Sequence, residues 1–431
     1  MISKFPRVYA WKFIELSKKT TPGCARGGFL SRLIFRKIKA RIAGIMRMKN
    51  KTTTSKQGRG ERIPGGLKKR IRVFVGMSGG VDSSVAAMML KNQGYDVMGV
   101  YLKCYIQPDG SCMRDAMDAM EVAKKLDIPF EIWDFQREYK QRVIDYMVDG
   151  YRRGLTPNPD IECNREIKFG LFLERALKLG ADYVATGHYV RLASRKKSLS
   201  EFFSLYSARD NNKDQSYFLW TLSQEQLRHT LFPIGDYLKP KVREIARKAG
   251  LKTAEKKDSQ GICFLGKVSL DDFLKDYLPE KNGDVVDIHG KKLGEHTGAY
   301  FYTIGQRQGI GNLKHQRGVK LHKPLYVVLK DVKKNVVVVA EEEDPNLLKG
   351  EVELMGVNFI SPKYYKVLQN TGVLGVMARV RYRQSLASAK LKIRKENFFL
   401  EFDKPQKFVA EGQSAVFYSS GGEMIGGGVI L

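Results

Sequence analysis

Gly76-Met77-Ser78-Gly79-Gly80-Val81-Asp82-Ser83-Ser84 follows a short β-branched run, Arg72–Val75, and leads into a segment, Ser83–Lys91, with helical periodicity closed by Gly94. The order strand, glycine loop, helix has a chemical meaning. Glycines let the backbone turn tightly and approach a phosphate, and the helix N-terminus offers unpaired N–H groups and the positive end of its dipole. Ser78, Ser83 and Ser84 add hydroxyl donors, and Asp82 is placed to hold a magnesium ion or to order the loop. No Gly-Lys-Ser/Thr follows, so this is not a Walker-type loop.

Working outward, the elements alternate. Asp96–Leu102 reads as a second strand, Met117, Met120, Ala123 and Leu126 mark a helix, and Phe130–Phe135 a third strand. Helices are predicted over 138–151 and 165–179, the latter stopped by Gly180, before the strand Tyr183–Ala185. Strands alternating with helices predict an α/β fold with a parallel sheet covered on both faces. Ligands bind beyond the carboxyl ends of such strands, so loops near Gly76, Lys103 and Thr186 should line one crevice. After residue 230 a helix over 240–249 stands among loops. From Ala299 onward short strands dominate: Leu325–Leu329, Val336–Ala340, Val352–Val357, Val373–Arg383, Ala389–Ile393, Phe398–Phe402 and Ala415–Tyr418. They predict a β-barrel or sandwich. The expected division is an N-terminal extension over 1–69, a catalytic domain over 70–230, a small central linking domain over 231–297 and a β-barrel over 298–431.

The chain has 431 residues and a formal net charge of +29, which favours a polyanionic partner. Much of the excess lies in residues 1–70, where Glu15 and Glu61 are the only acids. Within that extension Leu30, Leu33, Ile34, Ile38, Ile42 and Ile45 recur at helical spacing among arginines and lysines, as in a transit peptide or a membrane-surface helix. An upstream translated tail, with Met46 or Met48 as the true start, explains it equally well. No apolar run reaches the roughly 18 residues of a membrane span. Five cysteines (Cys24, Cys104, Cys112, Cys163 and Cys263) are too few for a disulfide scaffold and point to a reducing compartment.

Two of those cysteines sit in unusual strings. Thr156-Pro157-Asn158-Pro159-Asp160-Ile161-Glu162-Cys163-Asn164-Arg165-Glu166-Ile167-Lys168 places Cys163 near a predicted helix start, with Asn164 as a candidate cap and Arg165 and Lys168 close by. Such surroundings lower a thiol pKa from about 8.5. Lys256-Lys257-Asp258-Ser259-Gln260-Gly261-Ile262-Cys263-Phe264 puts a second cysteine beside lysines. Taken singly, each reads as an ordinary half-buried cysteine.

The glycine loop resembles the SGGxDS signature of the ATP-pyrophosphatase (PP-loop) superfamily, whose members split ATP into AMP and pyrophosphate while adenylating a substrate oxygen. With the two cysteine strings, Ala185-Thr186-Gly187-His188-Tyr189, Asn212-Lys213-Asp214-Gln215-Ser216-Tyr217-Phe218, Tyr302-Thr303-Ile304-Gly305-Gln306-Arg307, Arg381-Tyr382-Arg383-Gln384 and Gly426-Gly427-Gly428-Val429, the chain from about residue 72 onward resembles the bacterial-type tRNA-specific 2-thiouridylase family. The resemblance implies a parallel-sheet ATP-pyrophosphatase domain, a small central domain and a C-terminal β-barrel that binds tRNA. It implies ATP and Mg2+ as cofactors, with Gly76, Met77, Ser78, Gly79, Gly80, Val81, Asp82, Ser83, Leu102 and Gly187 at the nucleotide. Asn158, Pro159 and Asp160 would meet the target base, and Asp160 would assist proton transfer. Cys163 would be the nucleophilic thiol, and Cys263 the carrier of a persulfide sulfur. His188, Lys213, Asp214, Gln215, Arg381, Tyr382 and Gln413 would contact tRNA. Arg381 suits a phosphate fork and Tyr382 a stacked base. The implied partners are tRNAs with a wobble uridine, for Glu, Gln and Lys, and a persulfide donor protein. The implied state is a cytoplasmic monomer away from the membrane, or a mitochondrial protein if the extension is a transit peptide.

One departure stands out. The family shows Met-Lys-Asn-Trp where this chain has Leu102-Lys103-Cys104-Tyr105. Cys104 and Cys112 have no neighbouring His at metal-ligand spacing and read as non-catalytic. Cysteine chemistry also separates the family from rivals of the same superfamily: lysidine synthesis needs no cysteine pair, and a cytidine thiolase calls for a Cys-x-x-Cys, which is absent. A non-catalytic RNA-binding protein would not need Ser78, Asp82, Cys163 and Cys263 intact. The sulfur attack itself can follow two routes, direct attack by the persulfide or prior release of hydrosulfide by Cys163.

Overall fold

Val73, Phe74 and Val75 are all buried in strand β1 (Arg72–Gly76), as a central strand covered on both faces requires. They are seen in a computed structural model that describes residues 70–431, apart from 108, 198–199, 259–267, 308, 311 and 314–323. Cys24 and Cys263, and the amphipathic segment Leu30–Ile45, lie outside the described residues. β1 pairs in parallel with β2 (Asp96–Lys103) and with β4 (Tyr183–Ala185). With β3 (Phe130–Asp134) and the short β7 (Thr230–Leu231) the order is β3-β2-β1-β4-β7, all parallel. The hairpin β5 (Val190–Lys197) and β6 (Ser200–Ser207) leaves the sheet between β4 and β7. The chain order reverses between β1 and β4, so the crevice of the sheet opens there.

Helices cover both faces. On one side α1 (Val81–Asn92), α2 (Ser111–Lys125) and α5 (Lys239–Lys248) share a core through Val85, Ala119, Val122, Val242 and Ala246. On the other, the helical stretches α3 (136–152) and α4 (159–178) pack Ile144, Met147 and Phe172 around Trp133. Both stretches carry a π-helical segment, Lys140–Ile144 in α3 and Cys163–Leu171 in α4. Such wider turns recur at functional sites.

The helix expected to begin at 165 begins six residues earlier. Asn158 is the N-cap, accepting a hydrogen bond from the Ile161 N–H at 3.3 Å, and Pro159 occupies the first turn. Asn164, expected as the cap, lies inside the helix, where its amide donates to the Phe218 carbonyl at 3.2 Å.

A second sheet joins β8 (Gly283–Val286), β9 (Lys292–His296), β10 (Asn312–Leu313), β11 (Leu325–Asp331) and β12 (Val336–Glu341) in the order β10-β9-β8-β12-β11. It takes strands from both sides of residue 298. The remaining strands, β13 (Leu348–Phe359), β14 (Val373–Arg379), β15 (Ala387–Arg394), β16 (Asn397–Lys407), β17 (Ser414–Tyr418) and β18 (Met424–Ile430), close a six-stranded barrel in the order β13-β16-β15-β14-β17-β18. Closure removes the exposed edges that a sheet otherwise presents. The expected strand Val373–Arg383 stops at Arg379, and Arg383, with a φ of 64°, turns a corner instead. On β18, a Cβ at Gly427 would sit 2.7 Å from the Trp220 ring, so glycine is what lets Trp220 of the first domain lie against the barrel.

Candidate active site

The loop after β1 is ordered by its own serines. Ser83 Oγ accepts from the Ser78 N–H at 3.1 Å, and Ser84 Oγ donates to the Gly80 carbonyl at 2.7 Å. Gly80 is the N-cap of α1 and supplies no side-chain cap, so the helix end is open to an anion. Gly187, in the loop after β4, touches this loop backbone to backbone. A Cβ there would lie 2.6 Å from the Ser83 nitrogen and 2.8 Å from the Asp82 carbonyl carbon. Gly79, with a φ of 77°, is held as tightly, since a Cβ would meet the Asp115 carbonyl oxygen at 2.2 Å. The expected nucleotide residues Gly76–Ser83 and Gly187 are thus brought together at the switch point, and half-buried Leu102 is the last residue but one of the neighbouring β2. The arrangement fits a polyphosphate. Because the Gly187 contact cannot yield, Gly187→Ala is expected to weaken ATP binding at least ~10-fold, about 1.4 kcal/mol, in a nucleotide titration.

Asp82 is already engaged. Its carboxylate accepts from Lys239 Nζ at 2.7 and 2.9 Å and from the Tyr189 hydroxyl at 2.8 Å. Among the described residues no group of three or more His, Cys, Asp or Glu side chains could hold a metal ion. Of the two roles open to Asp82 in the sequence, ordering the loop is the one this geometry displays.

The segment leading to Cys163 is clamped from two directions. The Thr156 N–H donates to the Glu411 carbonyl at 2.7 Å, and the Gln413 amide donates to the Thr156 carbonyl at 2.9 Å, both from the barrel. From the second sheet, Thr303 meets the Thr156 hydroxyl at 3.4 Å, and Lys330 donates to the Tyr302 and Leu155 carbonyls. Burial lowers the Lys330 pKa to about 8. Cys163 is 3% exposed at the start of the π-helical segment, while Asn158 and Asp160 are half-buried ahead of it. Arg165, expected to act on the thiol, pairs with Glu162 at 2.6 Å and with Glu166 at 3.1 Å. Lys168 lies where its charge lowers the pKa values of both Cys104 and His188.

The residues expected at tRNA are engaged within the protein. His188 is buried between Phe169 and Phe232, bonds the Thr186 hydroxyl at 2.7 Å, and is held neutral by burial and by Lys168. Lys213 pairs with Asp258 at 2.6 Å. Asp214, 5% exposed, pairs with Arg379 of β14 at 2.6 Å and accepts from the Ala208 and Ser216 N–H groups and the Ser216 hydroxyl. Gln215 accepts from the Tyr189 N–H at 3.0 Å. Arg381 donates to the Ile304 carbonyl and lies over the Phe408 ring, and Tyr382 packs on Phe218 with centroids 4.4 Å apart.

Three functional candidates escaped the sequence, Lys239, Lys330 and Arg379, and Asp258 was quoted there without a role. Lys239 carried one faint signal, a lysine followed by Pro240 at a helix start. Cys104 and Cys112 are both driven upward in pKa, chiefly by burial, and the Tyr101 hydroxyl donates to Cys112 Sγ at 3.5 Å. Among the described residues no helix is long and apolar enough to cross a membrane.

Known proteins match along most of this architecture. Residues 71–267 match a family described as the tRNA methyl transferase HUP domain, 271–341 its PRC-barrel domain, and 355–430 an aminomethyltransferase beta-barrel domain. The tRNA-specific 2-thiouridylase MnmA of Streptococcus sanguinis is 44% identical over 366 residues, which cover 84% of this chain and 95% of that protein. The proteins of the same description from Christiangramia forsetii (42% identical, 83% and 99% covered) and Akkermansia muciniphila (44% identical, 83% and 98% covered) match as fully.

Proposed function

Since the chain belongs to the tRNA-specific 2-thiouridylase family, and so is an ATP-dependent tRNA-uridine 2-sulfurtransferase, we propose that it acts on the wobble uridine by adenylating the C2 oxygen and replacing it with sulfur carried on Cys263. The observation that carries this reading is the convergence of the serine-ordered loop and Gly187 at the sheet's switch point, in the same domain as the clamped Cys163 segment. The uracil C2 oxygen is a poor leaving group until it becomes an adenylate. ATP supplies that activation, with pyrophosphate leaving beside the open N-terminus of α1. Magnesium, implied by the family, enters with the triphosphate, since the acidic donors on the protein are occupied.

Two routes for sulfur end alike. In one, the terminal sulfur of a Cys263 persulfide attacks C2 and AMP leaves; Cys163 thiolate then attacks Cys263 Sγ, freeing the thiocarbonyl and forming a disulfide. In the other, Cys163 attacks the persulfide first, and the hydrosulfide released attacks C2. Either way the enzyme ends as a Cys163–Cys263 disulfide, which an external thiol must reduce. Asn158, Pro159 and Asp160 present the base to this chemistry. His188, Lys213, Asp214, Gln215, Arg381, Tyr382 and Gln413 serve tRNA binding. Those engaged inside the protein brace the loops that the RNA touches. The partners are tRNAs for Glu, Gln and Lys and a persulfide donor protein, met by a monomer in the cytoplasm.

Incubating the enzyme with unmodified tRNA, ATP and a persulfide donor should yield equal amounts of pyrophosphate, AMP and 2-thiouridine. Pyrophosphate formed without tRNA, or AMP formed without any thiouridine, would defeat the reading.

A further inference from the structure

Residues 153–158 join α3 to α4 and lead the chain to Cys163. The second sheet and the barrel both press on this turn. A Cβ at Gly154 would lie 2.9 Å from Val332 Cγ2, just past β11, and a Cβ at Gly412 would lie 2.9 Å from the Thr156 nitrogen. Lys330 of β11 adds the polar contact from the second sheet. It donates to the Leu155 carbonyl at 3.5 Å and to the Tyr302 carbonyl, with its ammonium 5.9 Å from the centre of the Tyr151 ring. Tyr151 and Tyr302 are both buried. One ammonium thus ties the turn ahead of Cys163 to the second sheet.

A carbonyl outside regular structure needs a donor of its own. Leu155 has Lys330, and Thr156 beside it has Gln413 of the barrel at 2.9 Å. Asn158 then caps α4, and Cys163 follows within the same helix. At about 1.5 Å per residue the thiol lies about 7 Å beyond the cap, so a tilt of about 10° at the entry moves it by about 1 Å. A displacement of that size costs on the order of 100-fold where reacting atoms must be aligned. Stability does not account for the lysine. Burial lowers its pKa to about 8, so the surroundings disfavour its charge, and an apolar chain of similar length would sit there at little cost. What the ammonium supplies is direction, with donors enough for both carbonyls.

We propose that Lys330 is a positioning residue for sulfur transfer: by tying the Leu155 carbonyl to the Tyr302 carbonyl it sets the entry angle of α4, and with it the places of Asn158, Pro159, Asp160 and Cys163. This rests on the roles given above to those four residues and extends the catalytic machinery to the second sheet. The barrel holds the same turn from its other side, where the Thr156 N–H donates to the Glu411 carbonyl and Gln413 donates to the Thr156 carbonyl. The second sheet and the barrel together fix the direction in which the thiol and the base-binding residues face.

Full-length enzyme is assayed for thiolation of unmodified tRNA with ATP, magnesium and glutathione persulfide, and rates are referred to the folded fraction measured by denaturant unfolding. Lys330→Met should lower kcat about 30-fold or more, while KM for ATP and for tRNA stays within about twofold of wild type. Its unfolding midpoint should match the wild-type one. Lys330→Arg, which keeps the cation and its donors, should recover most of the lost rate. A merely structural role would lower the midpoint and leave kcat per folded molecule unchanged. A direct contact with an RNA phosphate would raise KM for tRNA instead. If Lys330→Met does not fold, Lys330→Gln, with a neutral donor on a shorter arm, is read by the same criteria. Wild-type kcat in the folded variant, a loss confined to KM for tRNA, or a Lys330→Arg rate no better than that of Lys330→Met overturns the inference. Cys163→Ser, assayed beside them, separates the two levels: a wild-type rate in that variant would overturn the role of Cys163, and the inference with it.

Discussion

Cys163→Ser is expected to reduce tRNA thiolation at least ~1,000-fold, as loss of a covalent nucleophile does in other enzymes. Serine cannot form the disulfide with Cys263 that either sulfur route requires. The variant should still take up sulfane sulfur on Cys263 from a persulfide donor, and it should still make adenylated tRNA. Pyrophosphate should therefore appear as a single burst, without continued AMP release. Cys263→Ser should show the complementary defect, with no sulfane sulfur loaded at the site. During turnover without reductant, wild type should accumulate a Cys163–Cys263 cross-linked peptide.

The other described cysteines provide the control. Burial pushes both the Cys104 and Cys112 thiols above their ordinary pKa, so neither is a ready thiolate near neutral pH. Cys104 lies close enough to Cys163 for the two to influence each other electrostatically, and it packs against the core that contains Cys163. Cys104→Ser and Cys112→Ser should nevertheless thiolate tRNA at near wild-type rates. An essential Cys104 beside a dispensable Cys263 would relocate the sulfur carrier to the place where this chain departs from its family.

What the sequence disclosed is what local chemistry encodes. The glycine loop was legible because turn, phosphate approach and helix start are each written in adjacent residues, and Val73–Val75 announced a strand buried on both faces. The barrel strands were legible from their spacing, though not the closure, which depends on β13 meeting β18 across the domain. Errors arose where one residue's environment is made by distant ones. Arg165 looked available to Cys163, but Glu162 and Glu166 both pair with it. Arg381 was expected within the strand Val373–Arg383, but the chain leaves β14 at Arg379 and turns Arg381 onto the Ile304 carbonyl. Nothing local in Lys239 or Asp258 foretells that they meet, or that they do so beside Asp82, 157 residues before Lys239.

The joint between the catalytic domain and the barrel should be the most costly polar contact to break. Asp214 and Arg379, 5% and 9% exposed in their side chains, lie 2.6 Å apart, with Ser216 and the Tyr418 hydroxyl closing the network. Two charges withdrawn from water stay stable only as a pair, so removing one leaves the other buried without compensation. Arg379→Met is therefore expected to cost about 3–5 kcal/mol of stability. Asp214→Ala should cost at least as much, because the Ala208 and Ser216 N–H groups lose their acceptor as well. Denaturant unfolding of the full chain would measure both. The double variant Asp214→Ala/Arg379→Met should be less damaged than the two losses added together, since the second change removes the charge that the first strands. At equal folded fraction, each single variant should also bind tRNA less tightly, because the 210–217 loop and the Arg381 corner are held in register through this pair. Additive stability losses would mean that the two side chains act independently, and wild-type tRNA affinity in folded Arg379→Met would detach the joint from RNA binding.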